Sequence, residues 1–125
     1  MNTTGDPARV LVVDDAEDAR EMLVAHLRLQ GFEAEGASDG QEALRAIERL
    51  PPHCVILDIQ MPGMDGLELA RMLRQRFHDD IVLIAVTGRP PNDAPVVDTF
   101  NLVDHYLRKP VNLCALRKAL SGAER

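Results

Sequence analysis

Apolar runs and mixed apolar–polar stretches alternate regularly along this chain. Val10-Leu11-Val12-Val13 is continuously apolar, and so are Cys54-Val55-Ile56-Leu57 and the stretch Ile81 to Val86. Runs without a period of two predict strands buried on both faces. Phe32 to Ala37 alternates apolar and polar, as a half-buried or edge strand does, and His105 to Leu107 gives a short fifth strand. Helical patterns lie between them. Ala19, Met22, Leu23, His26 and Leu27 recur at helical spacing over Asp18 to Gln30, and Gly31 closes that helix. Ser38-Asp39-Gly40-Gln41 reads as a capping box opening a helix with Ala43, Leu44 and Ile47 inward; Pro51-Pro52 stops it. Gly66 to Arg76 carries Leu67, Ala70 and Leu73 on one face. A helix within Asn92 to Val103 and a last one over Asn112 to Leu120 complete the series. Five strand–helix alternations predict a parallel sheet covered on both faces, a five-stranded α/β sandwich.

The length of 125 residues fits one domain, expected over 9–121 with short loose tails at 1–8 and 122–125. With 46% hydrophobic and 27% charged residues the composition is ordinary for a globular protein. A net charge of −6 without a basic cluster argues against direct nucleic-acid binding. No stretch approaches the ~18 apolar residues of a membrane span, and the polar start Met1 to Pro7 is no signal peptide. Cys54 and Cys114 both lie in apolar stretches and read as reduced core residues, which suits a cytoplasmic setting.

Each inner strand runs directly into polar residues. Asp14-Asp15 come after the first, Asp58 after the third, Thr87 after the fourth and Lys109 after the fifth. Each has a plain reading alone: turn or cap, strand end, solvated lysine. Asp58 is hardest to dismiss, because it closes the most apolar run with a charge that costs several kcal/mol to bury unpaired. In open α/β sheets the carboxyl ends of the strands share one edge, where ligands bind at the point of strand-order reversal. Three carboxylates, a hydroxyl and an ammonium would therefore converge on one cleft. Carboxylates that close need compensation, and a hard divalent cation such as Mg²⁺ supplies it. Lys109 is one of only two lysines against twelve arginines, and its compact ammonium suits a phosphate. A carboxylate nucleophile, a metal, an ammonium and a hydroxyl form a phosphoryl-transfer site.

Four motifs, Val12-Val13-Asp14-Asp15, Ile56-Leu57-Asp58-Ile59-Gln60-Met61-Pro62-Gly63-Met64-Asp65-Gly66, Thr87, and Tyr106-Leu107-Arg108-Lys109-Pro110, resemble the receiver domain of two-component response regulators in order and spacing. The likeness covers about residues 8 to 121. It implies a flavodoxin-like (βα)5 three-layer sandwich with strand order 2-1-3-4-5. It further implies that Asp58 is the phosphoacceptor, supplied by a histidine kinase or a histidine phosphotransfer protein. Asp14, Asp15, Asp58 and the backbone carbonyl of Gln60 would hold Mg²⁺. Thr87 and Lys109 would contact the phosphoryl oxygens, Thr87 and Tyr106 would form the switch, and the Lys109-Pro110 bond would be cis. Such a domain signals to an output partner that the residues do not name; it is not an enzyme beyond catalysing its own phosphorylation and dephosphorylation. The stretch Asp104 to Val111 resembles receivers attached to hybrid histidine kinases.

There are departures. Gly88 stands where alanine is common, Pro90, Pro91 and Pro95 crowd the start of the helix after the fourth strand, and Asn101 replaces the glycine that usually precedes the fifth strand. Two other readings compete. A degenerate receiver, binding partners without phosphorylation, requires one of the chemical residues to be missing, and none is. An aspartate-nucleophile phosphatase requires a second aspartate two residues after the nucleophile, where Gln60 stands.

Overall fold

The computed structural model describes residues 8–59, 66–78, 80–87, 102–109 and 111–121. Among them run β1 (Arg9–Val13), α1 (Glu17–Leu29), β2 (Glu33–Ala37), α2 (Gly40–Arg49), β3 (Cys54–Asp58), α3 (Gly66–Phe77), β4 (Val82–Thr87), β5 (His105–Arg108) and α4 (Leu113–Ser121). The strands form one parallel sheet in the order β2-β1-β3-β4-β5. This is the flavodoxin-like order expected from the motifs. The chain leaves β1 toward β2 and returns to the other side of β1 for β3, so the order reverses between β1 and β3.

The three apolar runs occupy the middle of the sheet because each face is covered. Side chains alternate between faces along a strand. Leu11, Val13, Val55, Leu57 and Leu83 pack with α2 and α3 through Ala43, Ile47, Leu69 and Leu73. Val10, Val12, Cys54, Ile56 and Ile84 pack with α1 and α4 through Val24, Leu27, Leu116 and Leu120. β2 is an edge, as its alternation predicts, with Glu33 and Glu35 exposed and Ala34 and Ala37 buried. Ala8 is also buried, its carbonyl accepting from the amide of Glu33 at 3.0 Å.

Local details depart from the sequence reading in four places. The inward stripe of α1 is Arg20, Leu23, Val24 and Leu27, and Met22 is 72% exposed. Two stripes of equal spacing compete on that helix, and the stem of Arg20 is apolar enough to serve the buried one. The cap of α2 is shifted by one residue. Asp39 is the N-cap, accepting from the Glu42 amide at 2.8 Å, while the Ser38 hydroxyl donates to the Glu42 carboxylate at 3.1 Å. Cys114 is exposed in the first turn of α4, unlike buried Cys54, and both thiols are free. Burial among apolar neighbours pushes the Cys54 thiol up, so it stays protonated. Residues 102–104 are turn and irregular chain, not helix. The expectations for a helix within 92–101, for Gly88, for Asn101 and for the Lys109-Pro110 bond lie outside the described residues.

Candidate functional site

The carboxyl ends of β1, β3, β4 and β5 bring the expected residues to one edge. Asp58 is the last residue of β3 and stands opposite Val86 of β4; Thr87 ends β4 opposite Arg108 of β5. The amide of Lys109 donates to the carbonyl of Thr87 at 2.8 Å, so the ladder continues one step past β5. Both Asp58 and Thr87 are buried, at 6% and 0% exposure, at the floor of the edge. Tyr106 stands opposite Ala85, on the same sheet face as Thr87 and two residues earlier; its hydroxyl oxygen is buried.

The acidic pair sits in the turn between β1 and α1. The amide of Asp14 donates to the carbonyl of Ala37 at 3.1 Å, and its Oδ1 accepts from the amide of Ala16 at 2.9 Å. That local acceptor bond is the turn chemistry expected of an aspartate between strand and helix. It also aims the carboxylate at the cleft. Carboxylate oxygens of Asp14, Asp15 and Asp58 lie within 4.8 Å of one another. Lys109 faces them with Nζ 2.9 Å from Asp58 Oδ2 and 3.8 Å from Asp14 Oδ2.

Charge in this cleft is only partly balanced. Burial raises the pKa of Asp14; the Ala16 amide and Lys109 oppose that, while Asp58 and Asp15 add to it. Burial alone would lower the pKa of Lys109, yet the hydrogen bond to Asp58 and the three carboxylate charges outweigh it and the net shift is upward. The ammonium is therefore held charged at neutral pH. Three carboxylates against one ammonium is a donor set for a hard divalent cation, and the chemistry of these oxygens fits Mg²⁺. Gln60, expected to lend a backbone carbonyl, lies outside the described residues.

Known proteins resemble this chain in sequence and fold. Residues 10–121 match the family model described as response regulator receiver domain. The chain belongs to that family. This receiver domain is 41% identical over 107 residues to response regulator MprA of Mycolicibacterium vanbaalenii, covering 86% of this chain and 46% of that protein. It thus spans about half the length of the curated relatives it matches. Among solved structures, response regulator TrrA of Thermotoga maritima, in complex with Mg²⁺-BeF, superimposes with a TM-score of 0.82 at 33% identity, covering 93% of this chain and 98% of that one. The receiver domain of Ssk1 from Saccharomyces cerevisiae, co-crystallised with the histidine phosphotransfer protein Ypd1, gives 0.81 at 26% identity, covering 93% and 88%.

Two contributors to this edge escape a reading of the sequence. Gly66 reads as the end of the motif that follows Asp58 and the start of a helix, with no sign of what it packs against. In the fold a Cβ there would overlap the carbonyl of Asp58 and sit 2.5 Å from the Cα of Ile59, so α3 begins in van der Waals contact with the backbone that carries Asp58. Arg20 reads as a surface arginine. Its guanidinium donates from Nη1 to the main-chain carbonyl of Asp14 at 2.9 Å. The signal for both is spacing: Gly66 lies eight residues after the strand-ending aspartate, and Arg20 heads the stripe that continues through Leu23, Val24 and Leu27.

Proposed function

We propose that this receiver domain takes a phosphoryl group from a phosphohistidine onto Asp58 and reports that event to an output partner through Thr87 and Tyr106. The observation that carries the reading is the ammonium of Lys109, 2.9 Å from Asp58 Oδ2 in a cleft shared with Asp14 and Asp15. A carboxylate oxygen of Asp58 attacks phosphorus; the P–N bond to the donor imidazole breaks, an O–P bond forms, and the imidazole leaves with a proton. Lys109 would then exchange part of its hold on Asp58 for the phosphoryl oxygens, and the Thr87 hydroxyl would donate to another. Asp14, Asp15 and Asp58 would hold Mg²⁺, which would neutralise part of the charge that the phosphoryl group brings. Gln60 would complete that set through its carbonyl. Catalysis here is positioning and charge balance, so a small donor such as acetyl phosphate replaces the phosphohistidine.

The partners are part of the same reading. TrrA carries Mg²⁺-BeF and Ssk1 meets a phosphotransfer protein, which supports a histidine kinase or phosphotransfer donor for this chain. No helix among the described residues is long and apolar enough to cross a membrane. The output is a further domain or a separate protein, engaged without direct nucleic-acid contact by this domain. Incubation with acetyl phosphate and Mg²⁺ tests the proposal. Intact mass should rise by one phosphate, and the rise should vanish with excess chelator. Labelling that persists in Asp58→Asn would contradict it.

A further inference from the structure

We propose that Arg20 is a positioning residue for the metal-binding turn, holding the Asp14–Asp15 peptide in the orientation that lets both carboxylates meet a divalent cation. This rests on the metal reading above and names a residue that acts on it from outside the ligand set. The guanidinium of Arg20 donates to the main-chain carbonyl of Asp14 at 2.9 Å. The amide of Asp14 donates to Ala37, its Oδ1 accepts from Ala16 and its Oδ2 faces Lys109 Nζ at 3.8 Å, so Arg20 holds the main-chain carbonyl. The Asp14 carbonyl and the Asp15 amide share one rigid plane, so fixing the first sets the direction in which Asp15 leaves the turn. Exposed Asp15 has its bearing set by that plane.

Gly36 makes the arrangement possible. It lies in β2 opposite Val12, beside the Ala37 that receives the Asp14 amide. A Cβ at position 36 would stand 3.0 Å from both Cγ and Cδ of Arg20. The stem of the arginine thus crosses the bare backbone of the edge strand on its way to Asp14. A glycine inside a strand costs stability and marks a close approach, and here the approaching group is Arg20. The two residues form a strut from β2 across to the acidic turn.

A guanidinium bound to the turn that carries Asp14 and Asp15 could also act as a charge, and the two roles differ in sign. As a nearby cation Arg20 repels a metal ion, and its removal would tighten metal binding. As a strut it orients the ligands, and its removal weakens binding, as loss of an outer partner of a metal ligand does.

Isothermal titration of the whole chain with MgCl₂ decides between them. Arg20→Met keeps the apolar stem and should bind Mg²⁺ about tenfold more weakly than the wild type. Arg20→Lys should recover part of the loss. Gly36→Ala changes no charge and should weaken binding in the same direction by pushing the arginine aside. In metal-free protein the amides of Asp15 and Ala16 should exchange faster in both Arg20→Met and Gly36→Ala. Unchanged or tighter Mg²⁺ binding by Arg20→Met overturns the proposal, as does a loss of melting temperature with unchanged affinity. If Arg20→Met does not fold, wild-type affinity in both Arg20→Lys and Gly36→Ala overturns it. A wild-type chain that shows no Mg²⁺ binding overturns the metal reading itself, a distinct result from variants that match a binding wild type.

Discussion

The backbone of Lys109 is tied to Thr87 by a 2.8 Å hydrogen bond, so the ammonium and hydroxyl of the cleft ride on one ladder. Neither side chain can shift its base without the other strand moving too. Asp58 enters the same frame from β3, where the amide of Ile59 donates to the carbonyl of Val86 at 3.2 Å. The three groups proposed to meet a phosphoryl group are thus set by strand pairing rather than by loops. That makes the cleft stiff at its base, and it ties several consequences to single residues.

Lys109→Met should destabilise the metal-free domain by about 1–2 kcal/mol. Removing one partner of a buried pair costs more, but the lysine is 37% exposed and its share is screened. The pKa of Lys109 is raised on folding, so its contribution is fully present below the ordinary lysine value of 10.5 and fades as pH climbs through the higher folded value. Denaturation of wild type and variant should show a constant gap between about pH 7 and 9, narrowing only above about 10.5. A gap that already narrows below pH 8 would count against the pairing.

Asp14→Asn should act in the opposite sense. Burial raises the Asp14 pKa, so its ionisation at neutral pH opposes folding, while the asparagine keeps Oδ1 for the Ala16 amide. Without metal the variant should be more stable than the wild type. It should also lose the rise in melting temperature that Mg²⁺ gives the wild type. Thermal melts with and without MgCl₂ test both halves.

Gly66→Ala should be costly out of proportion to one methyl group. The added carbon would fall on the backbone of Asp58 and Ile59, which cannot swing aside as a side chain can. A loss of about 2 kcal/mol or more is expected, with slower phosphorylation because the nucleophile moves with its strand. Urea denaturation alongside labelling rate checks this; a neutral substitution would mean that α3 sits further from Asp58.

Asp104 and Arg74 form a second fixed point, away from the cleft. Asp104 Oδ2 accepts from the Leu83 amide at 2.8 Å and from Arg74 at 2.7 Å. Arg74 also donates to the carbonyls of Leu102, His78 and Ile81 at 2.6, 2.8 and 3.0 Å. This clamp joins the end of α3 to the start of β4 and to the chain entering β5. Asp104→Ala removes the acceptor of the Leu83 amide and of one guanidinium nitrogen, Nη2, at a cost of about 2 kcal/mol. Hydrogen exchange should quicken at Leu83 and leave Val55 slow.

The legibility of this fold tracks burial. Strands β1, β3 and β4 stand out because both of their faces are covered, so Val10 to Val13, Cys54 to Leu57 and Ile81 to Val86 admit no polar break. Asp58 stands out for the same reason. The α1 face was legible at Leu23 and Leu27 but not beyond, because Ala19, Met22 and His26 on one flank and Arg20 and Val24 on the other both keep helical spacing with them, and only packing on β1 and β2 chooses the flank. Exposed Cys114 misled because a short helix near the end of the chain is apolar on less than its whole surface. The clamp of Arg74 on Asp104 and the strut of Arg20 over Gly36 join residues 30 and 16 positions apart, and no local pattern announces such a contact.

The most direct test concerns the identity of the phosphorylated atom. An aspartyl phosphate is an acyl phosphate, and borohydride reduces it to homoserine while leaving free carboxylates intact. After treatment with acetyl phosphate and Mg²⁺, reduction and peptide mapping should find homoserine at position 58 and intact aspartates at positions 14 and 15. Homoserine at either of those positions, or none anywhere with the wild-type chain fully folded, would contradict the assignment of Asp58 as phosphoacceptor.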